Sequence, residues 1–221
     1  MFSFSADVAI LLANSTLETI YMVAVSVLLA TVLGIPLGIL LMVTDKGQIL
    51  QNDIINSILG AVVNIFRSIP FIILLIVLIP FTRFVVGKSI GTTAAIVPLS
   101  IAAIPFMARL TETSLKEINK GIIEAAQSMG ASPLQIITKV LIPEALPSIA
   151  SGITITTINL VGYSAMAGVI GGGGLGDLAV RYGYQRYMLD IMTYTVIILV
   201  IMVQLIQMIG DLIVGKISIN R

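Results

Sequence analysis

The first residues to test for chemistry form a glycine-rich segment in the second half of the chain. Gly171, Gly173 and Gly176 satisfy G-x-G-x-x-G, a spacing that lets a backbone approach the pyrophosphate of a dinucleotide. That site needs a strand before the glycines, and none is indicated there. An ATPase phosphate loop is also excluded, because Asp177 follows Gly176 where that loop requires lysine. We therefore predict that this chain does not bind nucleotide itself.

The remaining residue types exclude most enzymatic chemistry. The chain has no cysteine and no histidine, which excludes disulfides, thiolate nucleophiles, histidine bases and ordinary zinc sites. Only 10% of its residues are charged and 57% are hydrophobic, whereas a soluble domain is about one quarter charged. A net charge of +1 offers no basic face for a nucleic acid. We expect a non-enzymatic protein of the lipid bilayer with no cofactor, no metal and no nucleic-acid partner.

Five apolar stretches are long enough to cross a bilayer, which takes about 20 helical residues. They comprise residues 16–43, 54–80, 91–110, 148–170 and 190–214. The first is too long for a cleaved secretory signal, and no Lys or Arg precedes it. The predicted fold is an all-α integral membrane protein with five transmembrane helices.

Glycine and proline interrupt these stretches. Gly34 and Gly38 flank Pro36 in a small-xxx-small pattern that lets helices pack closely. Later stretches are expected to be interrupted at Pro70, Pro98 and Pro105. We interpret all of them as helix packing and assign no site to them.

A polar insert, residues 116–147, separates the third and fourth stretches; we call it the elbow. Its first half has apolar residues at helical spacing, and Gly130 suits the left-handed position that ends a helix. Ser132, Pro133 and Gln135 then supply an N-cap, a first-turn proline and a capping-box partner. We predict two short helices, with Pro143 and Pro147 marking the return to the bilayer. The apolar face of the first helix comprises Ile122, Ile123, Ala126 and Met129.

The elbow also carries a family motif. Glu124-Ala125-Ala126, three residues, Gly130, nine residues and Val140-Leu141-Ile142-Pro143 follow one another. This resembles the signature EAA-x3-G-x9-I-x-L-P of the membrane subunits of bacterial ABC importers, with conservative replacements at Val140 and Ile142. The resemblance implies a type I ABC importer permease whose cytoplasmic coupling helix-turn-helix lies between transmembrane helices 3 and 4. It also implies that Glu124, Ala125, Ala126 and Gly130 dock onto a separate ATPase subunit.

A second resemblance extends over nearly the whole chain. The segments GYSAMAG, GGGGLGD and RYGYQRY, which begin at Gly162, Gly171 and Arg181, are similar to the membrane subunit of methionine ABC importers. The resemblance implies a single permease domain over residues 1–221, with a core of about 13–214. It implies a homodimer on two ATPase subunits, supplied with D- or L-methionine by an external binding protein similar to a methionine-binding lipoprotein. Tyr163, Ser164 and Met166 are candidate pathway-lining residues, the last because its soft thioether suits a thioether substrate.

The distribution of Lys and Arg predicts the orientation. With the elbow in the cytoplasm, five spans place the N-terminus outside and the C-terminus inside a bacterial inner membrane. The inner side then has Lys46, Arg67, Arg109, Lys116, Lys120, Lys139, Lys216 and Arg221, and the outer side has Arg83, Lys88, Arg181 and Arg186. This count of 8 to 4, or 7 to 4 without Arg67 inside the second stretch, follows the positive-inside rule.

Other functions remain open at this point. An ion-coupled amino-acid carrier usually has ionisable groups at mid-membrane depth and inverted repeats; here Glu18 and Asp190 are expected at span entries and Asp211 near an exit. An ABC permease for an osmoprotectant such as glycine betaine would favour aromatic cages, and this chain has no tryptophan. A scaffold protein would have no need of the elbow. The glycine run is expected to form a tight external turn, or a place where a partner's backbone approaches.

Overall fold

The computed structural model describes residues 6–219, and no strand occurs among them. The long helices are α1 (Ala6–Val43), α2 (Asp53–Ser68), α5 (Thr92–Lys116), α8 (Ile142–Val169) and α10 (Leu189–Ile219). Short helices are α3 (Phe71–Val77), α4 (Ile79–Val86), α6 (Lys120–Ser128), α7 (Pro133–Ile136) and α9 (Gly174–Leu178). Two π-helical turns, Ile137–Leu141 and Ala179–Tyr184, follow α7 and α9. The predicted all-α membrane fold is confirmed.

Four helices in the described part of the chain are long and apolar enough to cross a bilayer. They are α1, α5, α10 and the continuous helix Pro133–Val169. The predicted second span is instead a broken one, because α2 and α3 meet at a bend of 102°. Pro70 explains the break, since proline has no N–H and disfavours helical backbone in the residue before it. The five predicted spans are therefore present only if this bent pair counts as one.

The other prolines do not interrupt their helices. Pro36 lies inside α1, and Pro98 and Pro105 lie inside α5. The predicted interruptions at Pro98 and Pro105 were therefore wrong. Proline is tolerated within transmembrane helices because neighbouring groups satisfy the carbonyls that it frees.

The described chain divides into two compact units. The first comprises the described residues up to Leu28, with Ile69–Ala103 and Thr157–Met208. The second comprises Leu29–Ser68, Ile104–Thr156 and the described residues from Ile209. Buried apolar clusters form around Leu12, Leu178 and Ile191 in the first unit and around Leu41, Val63 and Ala108 in the second.

Glycines of α1 set its distance from α5 within the second unit. A Cβ added at Gly34 would lie 2.8 Å from the Cβ of Met107, and one added at Gly38 would lie 2.6 Å from the Cβ of Thr111. Both distances are shorter than real Cβ contacts allow. The helix-packing interpretation of this small-xxx-small pattern is confirmed.

Candidate functional site

The first helix of the elbow, α6, is fixed at both ends by local hydrogen bonds. Its N-cap residue Asn119 accepts a hydrogen bond from the backbone N–H of Gly121 at 2.9 Å. Past its C-terminus Gly130 has φ +79 and the N–H of Ala131 bonds to the carbonyl of Ala126 at 3.1 Å. The predicted left-handed glycine is confirmed. The backbone angle alone explains this glycine, because a Cβ added there would meet no atom within 4 Å.

The second helix of the elbow begins as predicted. The side chain of Ser132 accepts a hydrogen bond from the N–H of Gln135 at 3.4 Å, and the side chain of Gln135 accepts one from the N–H of Ser132 at 2.8 Å. These two bonds form the capping box. The start of this helix is therefore fixed by two residues three positions apart in sequence.

The predicted end of that helix was wrong. Instead of stopping before the bilayer, α7 continues through the π-helical turn into α8, so that Pro133–Val169 is one helix of 37 residues. The N–H of Ile142 bonds to the carbonyl of Ile137, five residues earlier. Because a proline ring crowds the carbonyl four residues before it, a widened turn directly ahead of Pro143 lets the helix continue.

The four candidate coupling residues do not all face the same way. Ala126 is only 4% exposed and Ile123 only 7%, so both pack against this chain. Glu124, Ala125 and Gly130 are exposed. The predicted apolar face of α6 is thus divided between an inner and an outer surface. We call the latter the outer elbow surface; it comprises Ile122, Glu124, Ala125, Met129, Gly130 and Leu134.

The three candidate pathway residues lie on one stretch of α8, in the first unit. Met166 is 45% exposed. The half-buried ring of Tyr163 is stacked on Phe71, with ring centroids 4.6 Å apart. Ser164 is 2% exposed, and its hydroxyl donates to the carbonyl of Val161 at 2.7 Å. Of the three, Met166 offers the most open side chain in this conformation.

An ionic network around the buried carboxylate of Glu112, which sequence reasoning missed, lies where the elbow leaves α5. The carboxylate of Glu112, in a residue 4% exposed, contacts Arg109 at 2.6 Å and Lys116 at 2.8 Å. Lys116 also contacts Asp45 at 2.6 Å, and Arg109 donates to the side-chain oxygen of Asn64 at 2.6 Å. We call these five residues the ionic root. Their spacing on α5 was a usable signal, since residues three and four apart share a helix face.

The charge state of Asp45 follows from its neighbours. The ammonium of Lys116 hydrogen-bonds to the Asp45 carboxylate and holds its pKa below the ordinary value. The backbone N–H of Lys46 donates to the same carboxylate at 2.8 Å and adds to this effect. Asp45 is therefore ionised at neutral pH.

The two helices that flank the elbow are joined near its base. The hydroxyls of Ser114 on α5 and Ser148 on α8 are hydrogen-bonded at 2.8 Å. The elbow thus leaves and rejoins a fixed pair of helix ends within the second unit.

The glycine-rich segment forms a tight turn that closes on its own chain. Gly171, Gly173 and Gly174 all have positive φ, between +76 and +84. A Cβ added at Gly176 would lie 2.8 Å from the backbone carbonyl carbon of Ala165 on α8. The tight-turn interpretation is confirmed, and the backbone that approaches closely within this unit is the chain's own.

Residues of α1 hold this turn in place. The carboxylate of Glu18 accepts a hydrogen bond from the N–H of Gly174 at 2.7 Å, and the hydroxyl of Thr19 accepts one from Leu175 at 2.9 Å. Helix α1 begins at Ala6, before the predicted start of the first span at residue 16, and the position of Glu18 at the span entry stays a prediction. The added length gives Glu18 a structural role that the sequence did not indicate.

This chain is similar to known membrane transport proteins over most of its length. The model of the family described as "Binding-protein-dependent transport system inner membrane component" matches residues 34–218. A Vibrio cholerae protein named "Probable D-methionine transport system permease protein MetI" is 57% identical over 94% of this chain and 92% of its own length. The Bacillus subtilis "Methionine import system permease protein MetP" is 52% identical over 93% of this chain and 92% of its own length.

A solved structure agrees with these sequence matches. A chain of the structure described as "Inward facing conformations of the MetNI methionine ABC transporter: CY5 native crystal form" superposes with a TM-score of 0.95 at 51% identity. The match covers 97% of this chain and 99% of that one. With a family match over most of its length, the chain belongs to the binding-protein-dependent transport system inner membrane components, a family of multi-pass permeases of the inner membrane.

Proposed function

We propose that this chain is the permease subunit of an ATP-driven importer of methionine, in its D or L form or both. The observation that carries the proposal is the identity of 57% and 52% to proteins named as methionine permeases, over more than nine tenths of this chain. The glycine betaine alternative has no comparable support. An ion-coupled carrier is disfavoured by the family and by Glu112, a buried acid already paired with two cations.

The outer elbow surface is the proposed dock for the ATPase subunit. Its exposed residues include Met129, 82% exposed, and Leu134, 69% exposed. Apolar side chains on a polar insert outside the apolar spans are expected to be covered by a partner. Glu124 can anchor that partner through a charge-assisted hydrogen bond, and the small side chain of Ala125 permits close approach. Gly130 sets the turn, whereas Ala126 supports the surface from within.

The proposed assembly is a homodimer resting on two ATPase subunits, with an external binding protein that delivers the substrate. A zwitterionic amino acid cannot cross hydrocarbon cheaply, because burying its charges is costly. The permease must therefore supply a polar path that is open to one side at a time. ATP binding to the partner favours the outward-open state, and release of ADP and phosphate favours the inward-open state.

The present conformation corresponds to the inward-facing state in this proposal, given the TM-score of 0.95 to an inward-facing transporter. Met166 lines the pathway in this state. Tyr163 and Ser164 belong to the same segment, but one is stacked on Phe71 and the other is bonded to the carbonyl of Val161. They contact substrate only after a rearrangement of α8.

The proposed orientation places the elbow and the C-terminus in the cytoplasm and the N-terminus outside. The excess of Lys and Arg on the elbow side supports it. One of the counted residues, Arg221, lies outside the described residues.

The test is transport in proteoliposomes that contain this permease, its ATPase and its binding protein. Uptake of labelled methionine should require ATP and persist when ion gradients are collapsed. Excess unlabelled L- or D-methionine should compete, whereas glycine betaine should not. Glu124→Ala should reduce uptake, while Glu117→Ala, an exposed acid just before α6, serves as the matched control. Uptake driven by an ion gradient without ATP would refute the proposal.

A further inference from the structure

Glu112 is a buried carboxylate paired with two cations, an arrangement that no role described so far explains. Its side chain is 5% exposed, and each carboxylate oxygen contacts a different cation, Arg109 through one and Lys116 through the other. Burying an ion is costly unless it is paired and hydrogen-bonded. Apolar residues of similar volume in place of the whole group of ions are often equally stable or more stable. The arrangement therefore points to a function that needs directional contacts at this position.

The contacts of Glu112 connect three segments of the second unit. Arg109 reaches Asn64 on α2 at 2.6 Å, and Lys116 reaches Asp45, just after α1, at 2.6 Å. Both cations lie on the last two turns of α5, on either side of Glu112. The end of α5 is thus tied in two directions by charged groups of fixed geometry.

The same helix end is where the elbow begins. Lys116 is the last residue of α5, and Asn119, three residues later, caps α6. Leu115 and Ile118, on either side of this helix end, are buried at 0% and 9% exposure. We therefore expect a displacement of α6 to move the residues that Glu112 contacts.

We propose that Glu112 is a positioning residue for energy coupling, which holds the elbow and the α1–α2 segment together through the Arg109–Asn64 and Lys116–Asp45 contacts. The proposal rests on the proposed function, since it assigns these contacts to an ATP-driven movement. In this role the ionic root makes the elbow and the segment from Asp45 to Asn64 move as one body. Without it, the elbow moves with the ATPase while the membrane helices follow incompletely.

The main experiment measures this joint movement directly. The chain contains no cysteine, so cysteines introduced at Leu50 and Ser128, both exposed, are the only labelling sites in the permease. The distance between their spin labels is measured with and without ATP in assembled complexes in which one of the two permease copies is labelled. We expect one unchanged distance in the parent protein and a nucleotide-dependent change in Lys116→Met. Lys46→Met, which removes a neighbouring exposed lysine, is the matched control and should behave as the parent.

Transport gives the second measurement. Lys116→Met and Glu112→Gln should lower methionine imported per ATP hydrolysed by about two- to thirty-fold while ATP hydrolysis continues, the range found for residues that couple two sites. Lys116→Arg should retain coupling. Asp45→Asn combined with Lys116→Met should be no worse than Lys116→Met alone, because Lys116→Met already removes the contact with Asp45.

The two proposals fail in distinguishable ways. If the parent complex hydrolyses ATP without importing methionine, the proposed function is wrong. The label distances still test whether the ionic root holds the elbow and the segment from Asp45 to Asn64 together. If the parent complex imports methionine while Lys116→Met leaves the distance and the import ratio unchanged, the role of Glu112 is wrong. A parallel fall in uptake and ATP hydrolysis in Lys116→Met, with an unchanged label distance, would likewise indicate a merely structural role.

Discussion

Replacing Gly38 with alanine tests the packing of α1 on α5 with a single methyl group. The added Cβ would lie 2.6 Å from the Cβ of Thr111 and closer still to the carbonyl oxygen of Ala108. Ordinary contact begins at 3.4 Å and the Ala108 oxygen would lie at 2.4 Å, so the two helices must separate locally by about 1.0 Å. The obstacle on one side is backbone, which cannot move away as a flexible side chain would.

The expected cost follows from two opposing effects. Overpacking of this kind typically costs about 1–3 kcal/mol. Alanine in a helix interior recovers about 0.5–1 kcal/mol relative to glycine. The overpacking term is larger, so we expect Gly38→Ala to lower the free energy of unfolding by about 1–2 kcal/mol.

Gly60 on α2 provides the matched control, since a Cβ added there would meet no atom within 4 Å. Gly60→Ala should be neutral or stabilising by up to about 1 kcal/mol. Both variants are compared by denaturant titration of the purified permease in detergent. Equal or greater stability of Gly38→Ala relative to the parent would show that α1 and α5 do not pack as closely as described.

Three further predictions concern the turn, the elbow and pH. Gly130→Ala should destabilise the elbow by about 1–2 kcal/mol, because its φ is left-handed although space is free; faster proteolysis within the elbow would report this, and Gly60→Ala, with free space and no positive φ, is the control. Glu18→Ala leaves the N–H of Gly174 without its acceptor and should cost about 1–3 kcal/mol, measured by thermal unfolding; unchanged unfolding would show that this bond does not hold the turn. The lowered pKa of Asp45 means that its contribution is complete above about pH 4 and is lost as pH falls through the lower folded value. The stability difference between the parent and Asp45→Asn should therefore shrink in acid, and a difference that grew there would contradict the ion pair.

Features formed by residues close in sequence could be predicted, whereas features formed by residues distant in sequence could not. Gly130 and the pair Ser132 and Gln135 were placed correctly, because their hydrogen bonds and backbone angles involve residues only a few positions away. Glu112 was missed although its spacing from Arg109 and Lys116 was visible, because those two cations contact Asp45 and Asn64, which are distant in sequence. The sequence pattern also could not separate the exposed Ile122 and Met129 from the buried Ile123 and Ala126, since helical spacing assigns all four to one apolar face. The effect of a proline on its helix could not be predicted from the sequence either, because Pro70 breaks its helix and Pro98 does not.

The continuous helix Pro133–Val169 contains a π-helical turn that changes the direction in which the residues before it face. At 1.5 Å per residue its 37 residues form a helix of about 55 Å. The π-helical turn Ile137–Leu141 offsets the faces of the helix before and after it by about one residue, or about 100°. Deleting a single residue there would remove this offset and bring the ring of Pro143 against the carbonyl four residues before it. The outer elbow surface would then point about a quarter turn away from the proposed ATPase subunit, and we expect docking to be lost without any change in the proposed docking residues.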